Sequence, residues 1–331
     1  MSGLGECNFS VPLSGILLNN CTFHLQRNAM VSLNSCFRIA VFFSVILFSV
    51  TGLKAQRDGR SPLFGRQNLV AWCVVPFDNQ KRNPQQRSEM LNDLKIPRLA
   101  YDWRTEHIPQ FDDEIDALKS HHIQLQSFWL HAGHDVRTDK NVETVFTFLE
   151  KRKLKTQIWL MWTANKEFEQ LTQEQKVDTA ANAVRYIAKR AAAIGCTVGL
   201  YNHNEWFGEP DNQLAIIEKL KMKNLGIVYN FNHAQVQIEK FPEFFPRILP
   251  HLIALNLAGL KKGDQHIYPI GEGDSEEEMI AVVSKSAYRG PIGIINEDTD
   301  PDAKVGLQMN MAGLRKILAH LGDERALKTY D

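Results

Sequence analysis

From residue 68 onward the chain alternates short apolar, β-branched or aromatic runs with longer polar stretches whose apolar residues recur at helical spacing. The runs fall at 68–76, 95–103, 123–130, 156–162, 197–203, 225–232, 252–258 and 290–296. The clearest helices are predicted over 84–94, 111–121, 142–152, 173–193, 210–222, 275–286 and 302–320. Within 173–193, Val177, Ala181, Val184, Ile187, Ala188 and Ala191 share one face, as in a helix packed on a sheet. Pro242 and Pro246 interrupt the stretch after the sixth run. Eight strand–helix alternations indicate a parallel sheet and favour closure into a single (β/α)8 TIM barrel over an open sheet. An open doubly wound sheet would carry a glycine-rich phosphate loop after its first strand. Val75-Pro76-Phe77-Asp78 has no glycine there, so no nucleotide cofactor is expected.

The first 60 residues read differently. Phe37 to Leu53 is an apolar stretch with Arg38 at its front and Lys54-Ala55-Gln56 behind it. It is short for a membrane helix and suits a signal-peptide core. The expected organisation is an upstream extension at 1–29, a signal peptide at 30–55, a linker at 56–67, the barrel at 68–320 and a C-terminal tail at 321–331. An uncleaved N-terminal anchor is the alternative, and either places the barrel outside the cytoplasm, periplasmic or extracellular. The 276 residues from 56 to 331 match the roughly 250 of a (β/α)8 barrel. Cys7, Cys21 and Cys36 lie in the leader. Cys73 and Cys196 sit in strand-like segments and read as buried thiols.

Composition narrows the partners. Lys+Arg 38 against Asp+Glu 38 leaves no bulk basic excess to attract phosphates, so nucleic acid is not an expected partner. Chemistry in such a barrel collects at the C-terminal strand ends. Those ends supply Asp102-Trp103-Arg104 with His107; Trp129, His131 and His134; Trp162; Asn202-His203 with Glu205 and Trp206; Asn230 with His233; Asn256; and Asn296-Glu297. Indole faces mixed with amides, carboxylates and imidazoles suit a small carbohydrate, whose C–H faces stack on rings while its hydroxyls need fixed partners. A phosphate pocket would want more Arg and Gly. Asp78, Lys81, Arg82, Glu272 and Asp274 read by default as surface charges, and Met309, Leu314 and Leu318 as the inner face of the last helix.

The eight-repeat layout, Tyr201-Asn-His203, Gly226-Ile-Val-Tyr-Asn230-Phe-Asn-His233 and Gly290-Pro-Ile-Gly-Ile-Ile-Asn296 resemble the xylose isomerase-like TIM barrels, the sugar phosphate isomerase/epimerase family. Asn202 to Pro210 resembles a secreted branch of it. The resemblance covers about 68–320 and implies proton transfer next to a sugar carbonyl around one divalent metal (Mn, Zn, Ni or Mg). At the positions of the family's four ligands, however, this chain has Tyr201, Asn230, Asn256 and Asn296, with Glu297 one residue out of phase. The expectation is an exported isomerase/epimerase-like protein of carbohydrate metabolism. His203, His233 and Glu205 are its catalytic candidates, and His203, His233 and Glu297 its candidate ligands for a rebuilt metal centre. Trp103, Arg104, His107, Trp129, His131, Trp162, Asn202, Trp206, Asn230 and Asn256 are the candidate substrate contacts. The alternatives are a non-catalytic carbohydrate-binding barrel and a glycoside-cleaving lyase or hydrolase using a pair from Asp102, Glu205 and Glu297.

Overall fold

The computed structural model describes residues 61–203, 205–297 and 302–331, so the expected leader lies outside the described residues. Eight parallel strands close on one another: β1 (Leu69–Trp72), β2 (Arg98–Tyr101), β3 (Gln124–Ala132), β4 (Gln157–Trp162), β5 (Thr197–Tyr201), β6 (Leu225–Asn230), β7 (Leu252–Leu257) and, last in the chain, β10 (Ile292–Ile295), which pairs with β1 to complete the ring. Helices α1 (Pro84–Asp93), α2 (Phe111–Ser120), α3 (Lys140–Arg152), α4 (Gln173–Ala193), α5 (Pro210–Leu220), α6 (Phe241–Ile248), α7 (Glu276–Ser284) and α8 (Ala303–His320) alternate with the strands. The expected (β/α)8 barrel is therefore the fold. On α4 the predicted face is the buried one, from Ala181 through Ala191, and Thr172 caps its start in a reciprocal bond with Gln175.

Two features depart from the pattern. Helix α6 forms despite its prolines, because Pro242 sits in the first turn, where no intrahelical N–H bond is due. After β7 the chain adds an unforeseen hairpin, β8 (Gly259–Lys261) with β9 (Asp264–Tyr268), turning at Gly263 with φ +75°. The buried carboxylate of Glu276 anchors its base by accepting from the amides of Leu260, Gly271 and Gly273. The expected linker and tail meet: Tyr330, at the end of the chain beyond α9 (Glu324–Leu327), donates to the Phe64 carbonyl at 2.7 Å. Among the described residues no helix is long and apolar enough to cross a membrane.

The barrel interior is filled by aromatic rings. Trp72 from β1 and Tyr201 from β5, on opposite sides of the ring of strands, approach to 6.0 Å between centroids. Trp159 lies 4.9 Å from Trp72, and Trp129 4.8 Å from Tyr201. Polar ends of these rings need partners in such a setting. The Trp72 indole N–H donates to the Tyr201 hydroxyl at 3.2 Å, and that of Trp159 to Gln157 at 2.9 Å. Cys73 and Cys196 are buried free thiols, as expected. Leu314 and Leu318 face the core, whereas Met309 is 40% exposed and belongs to the outer face of α8, contrary to the expectation from sequence. Asp78 is likewise no surface charge: it is buried, pairs with Arg82 at 2.7 Å and accepts from the Ala303 amide, while Arg82 also holds Asp302. This bolt ties the loop after β1 to the start of α8.

Candidate functional site

At the C-terminal mouth a cleft of about 300 Å3 opens between the ends of β2, β3, β4 and β5, with Arg104, Trp129, His131 and His203 among its walls and Met161 and Asn141 beside them. Arg104 is held from behind. Its Nη1 donates to the carbonyls of Asp102 at 2.6 Å and Trp103 at 3.0 Å, and its guanidinium lies 5.7 Å from the Phe77 ring centre. His131 is set by a 3.0 Å contact between Nε2 and the Thr163 hydroxyl. Trp129 keeps part of its indole at the cleft while the rest packs on Trp72 and Tyr201.

His203 meets His233 with ring centres 4.4 Å apart, and His233 stands edge-on over Tyr201 at 5.6 Å. Close packing of two imidazoles resists protonation of both. Burial lowers the pKa of His203, helped by His131 and opposed by Glu205. Burial together with His203 pushes His233 down to about 3, although one edge of its ring keeps some exposure. Both rings are neutral near pH 7, and Nδ1 of His203 is buried without a partner among the described residues. The turn after His203 depends on Gly208: a Cβ there would sit 1.5 Å from the His203 carbonyl oxygen.

Three carboxylates surround this arrangement without lining the cleft. Asp102, 1% exposed, has no hydrogen-bond partner for either oxygen among the described residues, although the backbone amides of Val75 and of Asp102 itself are near enough to favour its charged form. Burial raises its pKa to about 7, against the pull of Arg104. Glu297 accepts from the Asn232 amide and lies 3.9 Å from the Cys73 thiol, with its pKa raised by burial. Cys73 itself is in the left-handed region at φ +57°. Glu205, also at positive φ (+79°), is exposed.

A family model described as xylose isomerase-like TIM barrel matches residues 101–317, more than half of the chain. The chain belongs to that family. No curated protein matches it in sequence. Among solved structures it is similar to 3-keto-D-glucoside 4-epimerase from E. coli at 13% identity and a TM-score of 0.58, covering 76% of this chain and 99% of that one. It is similar to a D-tagatose 3-epimerase-like protein at 15% identity and a TM-score of 0.57, covering 76% and 99%. The zinc-bound IOLI protein is similar at 14% identity and a TM-score of 0.59, covering 76% and 98%. At these identities the likeness is one of fold.

Divalent metals occur in xylose isomerase-like barrels, yet the residues at the expected position do not fit one here. Tyr201 is 2% exposed and its hydroxyl is taken up by Trp72 and the Asn230 amide, while burial raises its pKa well above the ordinary phenol value. The Asn202 side chain accepts from the Asn230 backbone N–H at 2.6 Å and donates to the Asn230 carbonyl at 3.0 Å. Asn296 donates to the Phe77 carbonyl at 3.2 Å. Asn256 is fully buried, and both atoms of its amide lack partners. None of the four carries a charge to offset a dication's desolvation. Among the described residues no three His, Cys, Asp or Glu side chains gather to hold an ion, so His203, His233 and Glu297 do not assemble a three-ligand centre.

The other residues singled out in the sequence divide by direction. Trp103 reaches the cleft wall with one edge, but its ring is 4% exposed, packs on Phe111 at 5.2 Å and donates to the Trp129 carbonyl. Trp162 is buried among Phe168, Phe207 and His134. Trp206 lies outside the cleft, bonded to Gln173 at 2.9 Å. His107 accepts the Arg104 backbone N–H at 2.9 Å and borders a neighbouring cleft with Arg82 and Glu106. Sequence reasoning missed Thr163 and Asn141, single polar residues with no local pattern, and Trp72, whose ring packs on Trp129 and Tyr201.

Proposed function

We propose that the barrel binds a small sugar or keto-sugar in the cleft at its C-terminal mouth and moves a proton next to the sugar carbonyl, as in isomerisation or epimerisation, without routing a step through a metal. The observation that carries this reading is the meeting of an indole, Trp129, with two imidazoles, His131 and His203, beside a fixed guanidinium. The indole takes the C–H face of a pyranose or furanose. A neutral imidazole accepts a proton from carbon at neutral pH, and His203 is the base in this reading, kept unprotonated by its burial. Family membership and the fold shared with sugar epimerases point the same way.

The test is proton exchange in deuterium oxide, followed by NMR at the C–H beside the carbonyl for a panel of ketoses and aldoses, with binding read from tryptophan fluorescence. Exchange that disappears in His203→Ala while binding persists supports the proposal. Binding with no exchange on any sugar removes the catalytic part and leaves the second reading, a sugar-binding barrel. That reading draws on the neutral, hydrogen-bonded side chains at the family's metal position. The two-carboxylate hydrolytic alternative has no such support, because no Asp or Glu among the described residues lines the cleft.

Export belongs to the same proposal: the apolar stretch 37–53 directs the chain out of the cytoplasm, with cleavage before Gln56. Mass analysis of the mature protein decides it, since an N-terminus near residue 56 supports cleavage and retention of 37–54 refutes it.

A further inference from the structure

Among the described residues, the cleft carries one permanent charge, Arg104, and no acid to balance it. Asp102 and Glu297 feel the field of Arg104, yet both are turned inward, and neither forms an ion pair with it among the described residues. The guanidinium is also oriented in advance. Nη1 is spent on the carbonyls of Asp102 and Trp103, and Phe77 backs the group, so the edge formed by Nε and Nη2 has no protein partner among the described residues. A guanidinium edge with two parallel N–H donors matches the two oxygens of a carboxylate, and fixing it beforehand lowers the ordering cost of binding. The remaining polar walls, Thr105, His131, Asn141 and His203, can donate to or accept from hydroxyls. A phosphate ester, nearly a dianion, would call for a second cation or a glycine-rich loop, and neither lines this cleft.

We propose that the ligand of the cleft is a sugar acid, a uronate or aldonate, whose carboxylate is taken by the Nε–Nη2 edge of Arg104 while its hydroxylated body lies on Trp129 between His131 and His203. This rests on the carbohydrate reading above and narrows it to an anionic substrate class. It also accounts for a chain that has lost its acidic ligands: the carboxylate of a sugar acid is held by a fixed guanidinium instead of through a metal.

The test uses the full-length protein and equilibrium titration by tryptophan fluorescence, checked by calorimetry, at pH 7 in low salt. D-glucuronate, D-galacturonate and D-gluconate are compared with D-glucose, D-galactose and glucose 6-phosphate. The acids are expected to bind about tenfold more tightly than their neutral parents, the value of one charge-assisted bidentate contact. That margin should shrink with added salt, vanish in Arg104→Met and return in part in Arg104→Lys. If neutral hexoses bind as tightly as the acids, the inference falls and the carbohydrate reading stands. If glucose 6-phosphate binds more tightly than the uronates, the carboxylate assignment is wrong. If no sugar of either kind binds, both fall together. Should Arg104→Met fail to fold, the ratio of acid to neutral affinity and its salt dependence in the unaltered protein decide the matter.

Discussion

The two halves of the barrel mouth are built on opposite principles. Toward β5, β6 and β7, Tyr201, Asn230 and Asn256 are sealed, neutral and, apart from Asn256, hydrogen-bonded to other protein groups above an aromatic floor. Toward β2, β3 and β4, Arg104, Trp129 and His131 border open space with donor groups to spare. His203, at the end of β5, stands on the boundary and touches both. A buried polar group satisfied by protein is spent, whereas a partly exposed one held in place by others is available. In this chain the sealed half therefore serves stability, and the proposed chemistry is placed in the open half, one step outward from where the family's metal is expected.

If the sealed half is structural, removing its floor should carry the largest penalty. Trp159 is fully buried and touches Trp72 and Tyr201. Trp159→Ala is expected to cost about 3–5 kcal/mol, measured by urea unfolding, because an indole-sized cavity opens where strands cannot collapse. A loss below about 1 kcal/mol would mean that the floor is loosely packed and the comparison wrong.

The next effect is a tilt of stability with pH, and it separates the two halves by sign. Asp102 has a folded-state pKa raised to about 7, so its contribution is fully present below about pH 4 and is lost as pH rises through 7. His233 has a folded-state pKa lowered to about 3. The unfolded chain takes up that proton first, and stability is lost as pH falls from about 6.5 toward 3. The two slopes oppose one another between pH 4 and 6.5. Asp102→Asn is expected to leave a protein whose stability falls more steeply on acidification. His233→Gln is expected to leave one that gains stability, relative to pH 7, as pH drops to 4. Each tilt amounts to a few kcal/mol in denaturant midpoints taken across pH, and two parallel profiles would refute the assignment.

A smaller test probes how tightly the sealed half is closed. Gly293 faces Asn256 across the β7–β10 pairing, and a Cβ on it would lie 1.9 Å from the Asn256 amide oxygen. Gly293→Ala should cost about 1–3 kcal/mol through overpacking. Asn256→Ala in the same chain should return most of that, because the truncated side chain clears the contact. Additive losses in the double variant would show that the two positions do not meet.

Much of the barrel was legible because the repeat is long: an alternation of strand and helix periods, sustained eight times, outweighs errors of a few residues at each boundary. What failed was local. The hairpin 259–268 is only ten residues long and mixes polar with apolar positions, so it carries no period. Met309 falls on the helical spacing of Leu314 and Leu318 closely enough to pass for core, yet the rotation of α8 turns it outward. At the mouth, the pairing of His203 with His233 follows from two strand ends that adjoin in the ring. Trp103, Trp129 and Trp162 look alike in sequence, but a shift of one residue at a strand end turns a ring from the cleft into the wall. Only the register separates Trp129, which faces the open cleft, from Trp162, which is buried.

The smallest expected effect contrasts a tryptophan of the open half with one on the loop after β5. Trp129 lines the cleft, whereas Trp206 lies outside it, partly exposed, bonded to Gln173 and packed on Phe168 at 5.2 Å. Trp206→Ala should cost about 1 kcal/mol of stability, the usual size for a half-buried ring with one hydrogen bond. It should change sugar affinity by less than about twofold, a difference under about 0.5 kcal/mol. Stacking on an exposed ring depends on which face is free, and the Trp206 indole is turned along the surface toward α4, away from Arg104 and His203. A large loss of sugar binding in Trp206→Ala, with Trp129→Ala neutral, would move the ligand out of the cleft and onto the loop after β5. It would also detach Arg104 from the site.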